Sequence, residues 1–155
     1  MSVTLGKPVP DFTCAVTGSD APFRLRQALG QTLVIYFYPR DNTSGCTIEG
    51  RQFQALLPRF RRAGVRVLGI SRDTLASHEK FCAKEGFSFE LLADPDEKIC
   101  QLFDVMRDKN MYGKKVRGIE RSTFLLDAKG VLRQEWRKVS VDGHAAEVLE
   151  AAKSL

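Results

Sequence analysis

Four cysteines stand in this chain of 155 residues: Cys14, Cys46, Cys82 and Cys100. A cysteine reacts as its thiolate, so the position that favours the anion is the one to find. Cys46 is that candidate. It follows Tyr36-Phe37-Tyr38-Pro39-Arg40-Asp41-Asn42-Thr43-Ser44-Gly45 and opens a helical pattern. Cys46, Gly50, Phe53, Leu57 and Phe60 share one face of that helix. The run before it, Thr32 to Tyr38, is apolar throughout and suits a strand buried on both faces. At the carboxyl end of such a strand, a helix N-terminus offers free N–H groups and the positive end of its dipole to an anion. Gly45 lets another group come close to the backbone, and Thr43 offers a hydroxyl three residues ahead. Pro39 removes one donor and stiffens the loop. An ordinary strand-to-helix turn with a buried cysteine remains open on spacing alone.

The elements needed to hold that junction are legible in the pattern. Pro58 should kink the Cys46 helix or end its regular part, and Gly64 suits its C-terminal stop. Val65 to Ile70 is the next strand, so strand, helix and strand form a βαβ unit with parallel pairing. A second helix at 75–85, a strand near 89–93 and a short helix near 96–104 follow. Ser122 to Leu126 and Val131 to Lys138 read as strands joined through Asp127-Ala128-Lys129-Gly130. The last helix spans about 143–153, with Asp142 as its candidate N-cap. Residues 12–16 alternate as an N-terminal strand. The expectation is one α/β domain over 1–155, a mixed central sheet flanked by helices. A thioredoxin-like arrangement with an N-terminal extension fits this order.

Composition narrows the function. The chain is 43% hydrophobic and 28% charged, which excludes disorder and a membrane-spanning architecture. A chain of this length forms its own core and needs no disulfide staples. The N-terminus lacks the basic and apolar segments of a secretory signal, so the expected compartment is the reducing cytoplasm. Paired cysteines there are catalytic or metal-binding more often than structural. No C-x-x-C exists, and His78 and His144 complete no cysteine–histidine metal motif, so no metal and no other cofactor is expected. The net charge is +5. Its densest basic stretches, Arg59 to Arg66 and Arg107 to Arg121, read as a solvated helix face and a solvated loop. No nucleic-acid motif accompanies them, so neither nucleic acid nor membrane is an expected partner.

Pro39-x-x-x-Thr43-x-x-Cys46 resembles the peroxidatic-cysteine motif of the peroxiredoxins. The wider stretch YFYPRDNTSGCTIE, together with Asn110 to Lys115 and Gly118 to Leu126, resembles the peroxiredoxin Q or bacterioferritin comigratory protein branch. The similarity covers nearly the whole chain from Gly6 onward. It implies a thiol peroxidase for hydrogen peroxide and organic hydroperoxides. In that role the Cys46 thiolate attacks the O–O bond and becomes a sulfenic acid. The resemblance gives Thr43 a hydrogen bond to thiolate and peroxide, and gives Pro39 a shielding role. Arg121 matches the active-site arginine, whose fixed charge stabilises the thiolate and the developing oxygen charge. Gly45 and Glu49 complete the peroxide-binding set, with Glu49 either orienting Arg121 or serving only as a first-turn acid. Ser44 departs from the proline often found there, which alters loop stiffness.

The resemblance also bears on resolution of the sulfenic acid. Many members of the branch place a second cysteine five residues on, where this chain has Arg51. Cys82 matches the placement of another subgroup, with simple packing beside Leu75 as its plain alternative. Cys14 and Cys100 read as core residues. A Cys46–Cys82 disulfide, formed within a monomer and reduced by thioredoxin or a glutaredoxin-like dithiol, is what the likeness implies. Two cysteines each held in a helix rarely satisfy disulfide geometry, so its formation is expected to unwind a helix locally. Two other readings stand beside it: a thiol–disulfide oxidoreductase, weakened by the missing C-x-x-C, and a non-catalytic redox sensor.

Overall fold

The computed structural model describes residues 2–155. Strand β3 (Thr32–Phe37) is its axis. Its side chains alternate between two apolar layers: Leu33, Ile35 and Phe37 enter one, Val34 and Tyr36 the other. That is why the run carries no polar residue after Thr32. Around it, β1 (Thr13–Val16), β2 (Phe23–Arg24), β4 (Val65–Ser71), β5 (Glu90–Ala93), β8 (Ser122–Leu126) and β9 (Leu132–Trp136) complete a sheet in the order β2-β1-β5-β4-β3-β8-β9. Pairings β3–β4 and β4–β5 are parallel, and β3–β8, β8–β9 and β1–β5 are antiparallel. The expected mixed sheet is present.

Helices cover both faces. On one, α2 (Ser44–Arg62), α3 (Leu75–Glu85) and α5 (His144–Lys153) supply Phe53, Leu57, Phe81 and Val148. On the other, the short α1 (Leu25–Ala28) and α4 (Lys98–Leu102) supply Leu25, Ala28, Ile99 and Cys100. The stripe expected on α2 is buried as a set, and Glu49 is buried with it. Gly50 on that stripe sits where a Cβ would collide with the Phe87 ring, so a helix-weakening residue is required there.

Helix α2 continues through Pro58 to Arg62, so the proline does not end it, and Leu57 and Phe60 are buried on either side. Two expectations need correction. The N-cap of α5 is Gly143 at φ +68°, with no side-chain cap bond from Asp142. The basic segment taken as a loop is a two-stranded hairpin, β6 (Met106–Met111) and β7 (Lys114–Ile119), turning at Tyr112-Gly113. Its exposed, charged residues leave no apolar alternation to read.

Candidate active site

Strand β3 ends at Phe37, and the chain turns through Pro39 to Thr43 into α2. Cys46 therefore occupies the third helical position, among the N–H groups that have no intrahelical acceptor. Its side chain is buried: the residue is 2% exposed. The sequence-distant group that reaches it is Arg121, placed between β7 and β8. Arg121 Nη2 donates to Cys46 Sγ at 3.5 Å, and Nη1 donates to Glu49 Oε1 at 2.6 Å. Gly45 makes room for this: a Cβ there would stand 3.1 Å from Arg121 Nη2. The close approach that a glycine permits is thus made by the guanidinium.

The charges are arranged with one sign per role. Burial works against the Arg121 cation, but Glu49 and Cys46 raise its pKa further, so it stays charged. Burial pushes the Glu49 carboxyl up to about 7, against the pull of Arg121. Glu49 Oε2 is buried and has no hydrogen-bond partner among the described residues. Glu49 thus stands past the first turn of α2, in direct contact with Arg121. Pro39 is half-buried and, with Arg121, Arg107, Lys109, Lys138 and Val139, lines a cavity of about 520 Å³. Thr43 is exposed, and its hydroxyl donates to the Arg40 carbonyl at 2.9 Å, bracing the turn.

Cys82 is half-buried on α3 and packs against the same apolar layer as Cys46. Burial pushes its thiol up, the Thr17 hydroxyl pulls it down, and Asp41 and Glu79 push it up again. Thr17 follows β1, whereas the Arg121 beside Cys46 precedes β8. Four strand spacings separate those two strands, about 19 Å at 4.8 Å each. All four cysteines are free thiols. Tyr36 shares the apolar layer of Cys46 and Cys82, and its pKa is raised first by burial, then by Glu49, Cys46 and Cys82. Cys14 and Cys100 pack in the opposite apolar layer, as expected of core residues.

Sequence reasoning missed one group of residues here. Asp41 Oδ2 contacts His78 Nδ1 at 2.8 Å and accepts from Ser77 Oγ at 2.7 Å, while Oδ1 accepts from Tyr38 at 2.7 Å. The signal available was the placement of His78 four residues before Cys82, on the same helical face. Asp41, His78 and Asp73 bring their polar atoms within 4.8 Å of one another. Hydrogen bonds among these side chains and their neighbours account for the cluster, and we assign no ion to it.

With that geometry in hand, comparison with known proteins is decisive. Residues 5–135 match the AhpC/TSA family. The chain belongs to that family. It is 59% identical over 130 residues to peroxiredoxin Bcp of Xanthomonas campestris, covering 84% of this chain and 81% of the relative. It is 38% identical to peroxiredoxin Bcp of Bacillus subtilis, covering 100% of this chain and 98% of the relative. Among solved structures, a cysteine-to-serine mutant of Xanthomonas campestris peroxiredoxin Q superimposes with a TM-score of 0.90 at 51% identity, covering 99% of each chain. This is a peroxiredoxin of the Bcp or peroxiredoxin Q branch, with the thioredoxin-like fold of its neighbours. Peroxiredoxins are thiol-dependent peroxidases, which act on peroxides with a thiol reductant. Among the described residues no helix of this peroxiredoxin is long and apolar enough to cross a membrane.

Proposed function

We propose that Cys46 is the thiol that attacks the peroxide and that Arg121 is the residue that activates it. The contact from Arg121 to Cys46 Sγ carries this reading. A guanidinium cannot lose its proton at any working pH, so it stabilises the thiolate permanently and accepts the charge that grows on the peroxide oxygens. Glu49 holds it in place. The unpartnered N–H groups of the first α2 turn supply further donors. Pro39, which lines the cavity together with Arg121, shields the site from water, and Thr43 fixes the turn that leads to Cys46. The thiolate sulfur takes the distal oxygen, the O–O bond breaks, and the leaving oxide is protonated to water or alcohol.

Cys82 is the proposed resolving residue. Its thiol attacks the Cys46 sulfenic acid, the S–S bond forms, the S–O bond breaks, and water leaves. The sulfur pair has support from a relative: Xanthomonas campestris peroxiredoxin Q exists as serine mutants of two cysteines separated in sequence as Cys46 and Cys82 are. The alkyl peroxide reduction activity of that organism's bacterioferritin comigratory protein supports organic hydroperoxides as substrates alongside hydrogen peroxide. The reductant of the disulfide is proposed as thioredoxin or a glutaredoxin-like dithiol protein. One domain, acting as a monomer in the cytoplasm, suffices for this cycle.

Peroxide consumption with a thioredoxin system tests the assignment. Cys46→Ser is expected to abolish it. Cys82→Ser is expected to keep one stoichiometric peroxide reduction and lose thioredoxin-dependent turnover. Full turnover in Cys82→Ser would remove Cys82 from the mechanism.

A further inference from the structure

The loop that precedes Cys46 is fastened to the helix that carries Cys82. From the loop side, Asp41 accepts from Ser77 Oγ and contacts His78 Nδ1, both on α3. Its backbone N–H donates to Asp73 Oδ2 at 2.9 Å, in the segment leading into α3. Asn42 follows in the left-handed region at φ +64° and accepts from Lys84 Nζ at 3.4 Å, again on α3. A left-handed asparagine costs backbone energy that its surroundings must offset. His78 is 0% exposed. Its Nε2 lies 2.8 Å from the Leu92 carbonyl, which can only accept, so Nε2 carries a hydrogen. Nδ1 faces an Asp41 carboxylate oxygen at 2.8 Å. Both ends of the imidazole are thereby occupied, joining β5, α3 and the loop through one buried ring.

We propose that Asp41 and His78 are positioning residues for the resolving step: their buried contact clamps the loop before Cys46 onto α3, and the clamp must open before Cys46 and Cys82 can join. The inference rests on Cys46 and Cys82 being the disulfide pair. Closed, the clamp keeps Cys46 beside Arg121 and ready for peroxide. Open, it frees the start of α2 to leave Arg121 and bring Cys46 to Cys82. The two half-reactions therefore want opposite states, and weakening the clamp must shift them in opposite directions. A residue with a purely structural role would slow both. Opening that precedes chemistry scales the rate of disulfide formation by the open population.

The test is a single turnover with one equivalent of hydrogen peroxide, quenched over time. Loss of the Cys46 thiol reports the first step, and peptide mapping of the disulfide reports the second. His78→Leu removes both ring contacts, and Ser77→Ala removes one bond to Asp41. Ser77→Ala is expected to speed disulfide formation about five-fold, the factor for one ordinary hydrogen bond, and His78→Leu to speed it by more. The first step is expected to slow in both. Less sulfinic acid should accumulate under excess peroxide, because the sulfenic acid waits for less time. Should His78→Leu fail to fold, Ser77→Ala decides the matter alone. Equal slowing of both steps, or an unchanged disulfide rate, overturns the clamp. Mapping of the wild-type disulfide in the same samples separates the two claims: a bond that omits Cys82 overturns the pairing, whatever the variants do.

Discussion

Cys46 and Cys100 are equally hidden, at 2% and 0% exposure, yet the protein treats them oppositely. Cys46 lies in the first turn of a 19-residue helix with Arg121 against its sulfur. Cys100 lies in the five-residue α4, where burial and then the Asp94 carboxylate push its thiol far up. Asp94 also accepts the Cys100 backbone N–H at 2.8 Å. On the proposed assignment, burial does not distinguish the reactive cysteine from an inert one, and the sign of the nearest fixed charge does. Cys14, raised to about 12 by burial and Asp94, falls on the inert side.

Arg121→Met attacks that comparison most directly. It leaves Cys46 at its helix terminus and removes the cation. The reaction with peroxide is expected to fall by roughly 10²–10³-fold, the usual loss for one preorganised electrostatic donor. Stopped-flow measurement of the first step checks it. A change under three-fold would mean that the helix terminus alone activates the thiol.

Alkylation sharpens the same contrast. With a limiting chloroacetamide reagent near neutral pH, Cys46 should be modified at least about ten-fold faster than Cys100, whose thiol burial and Asp94 hold protonated, each unit of that upward shift removing a decade of thiolate. Arg121→Met should narrow the gap, and mass mapping of the labelled peptides reads it out.

A smaller effect concerns stability. Glu49 is an acid whose folded pKa is raised, from the usual 4.5 to about 7. The unfolded chain then gives up this proton first as pH rises. The contribution of Glu49 is fully present below pH 4.5 and is lost as pH climbs towards 7. Glu49→Gln should remove that slope. The difference between wild-type and variant urea-unfolding free energies should change by at most about 3 kcal/mol across the window. A flat difference would show Glu49 ionised throughout by its pairing with Arg121.

Much of this was legible in the chain, and the reasons for the rest are physical. The apolar run from Thr32 and the stripe from Cys46 to Phe60 reveal the central strand and its helix, because burial dictates residue type there. The strand at Ser122 to Leu126 is legible for the same reason. The β6–β7 hairpin is not, since Lys114, Lys115 and Arg117 face solvent and carry no period. Motif resemblance singles out Cys46 and Arg121, but no spacing rule brings residue 121 to residue 46. Only the pairing of β8 with β3 does so. The Asp41–His78 contact is invisible for a similar reason. It joins two segments that meet only because β4 lies beside β3, and the four-residue spacing of His78 and Cys82 does not point to Asp41.

Non-reducing peptide mapping after one equivalent of peroxide measures directly which sulfurs react. The prediction is a single disulfide between the peptides carrying Cys46 and Cys82, with Cys14 and Cys100 recovered as free thiols. A disulfide that leaves Cys46 free, or a Cys14–Cys100 bond in its place, would contradict it.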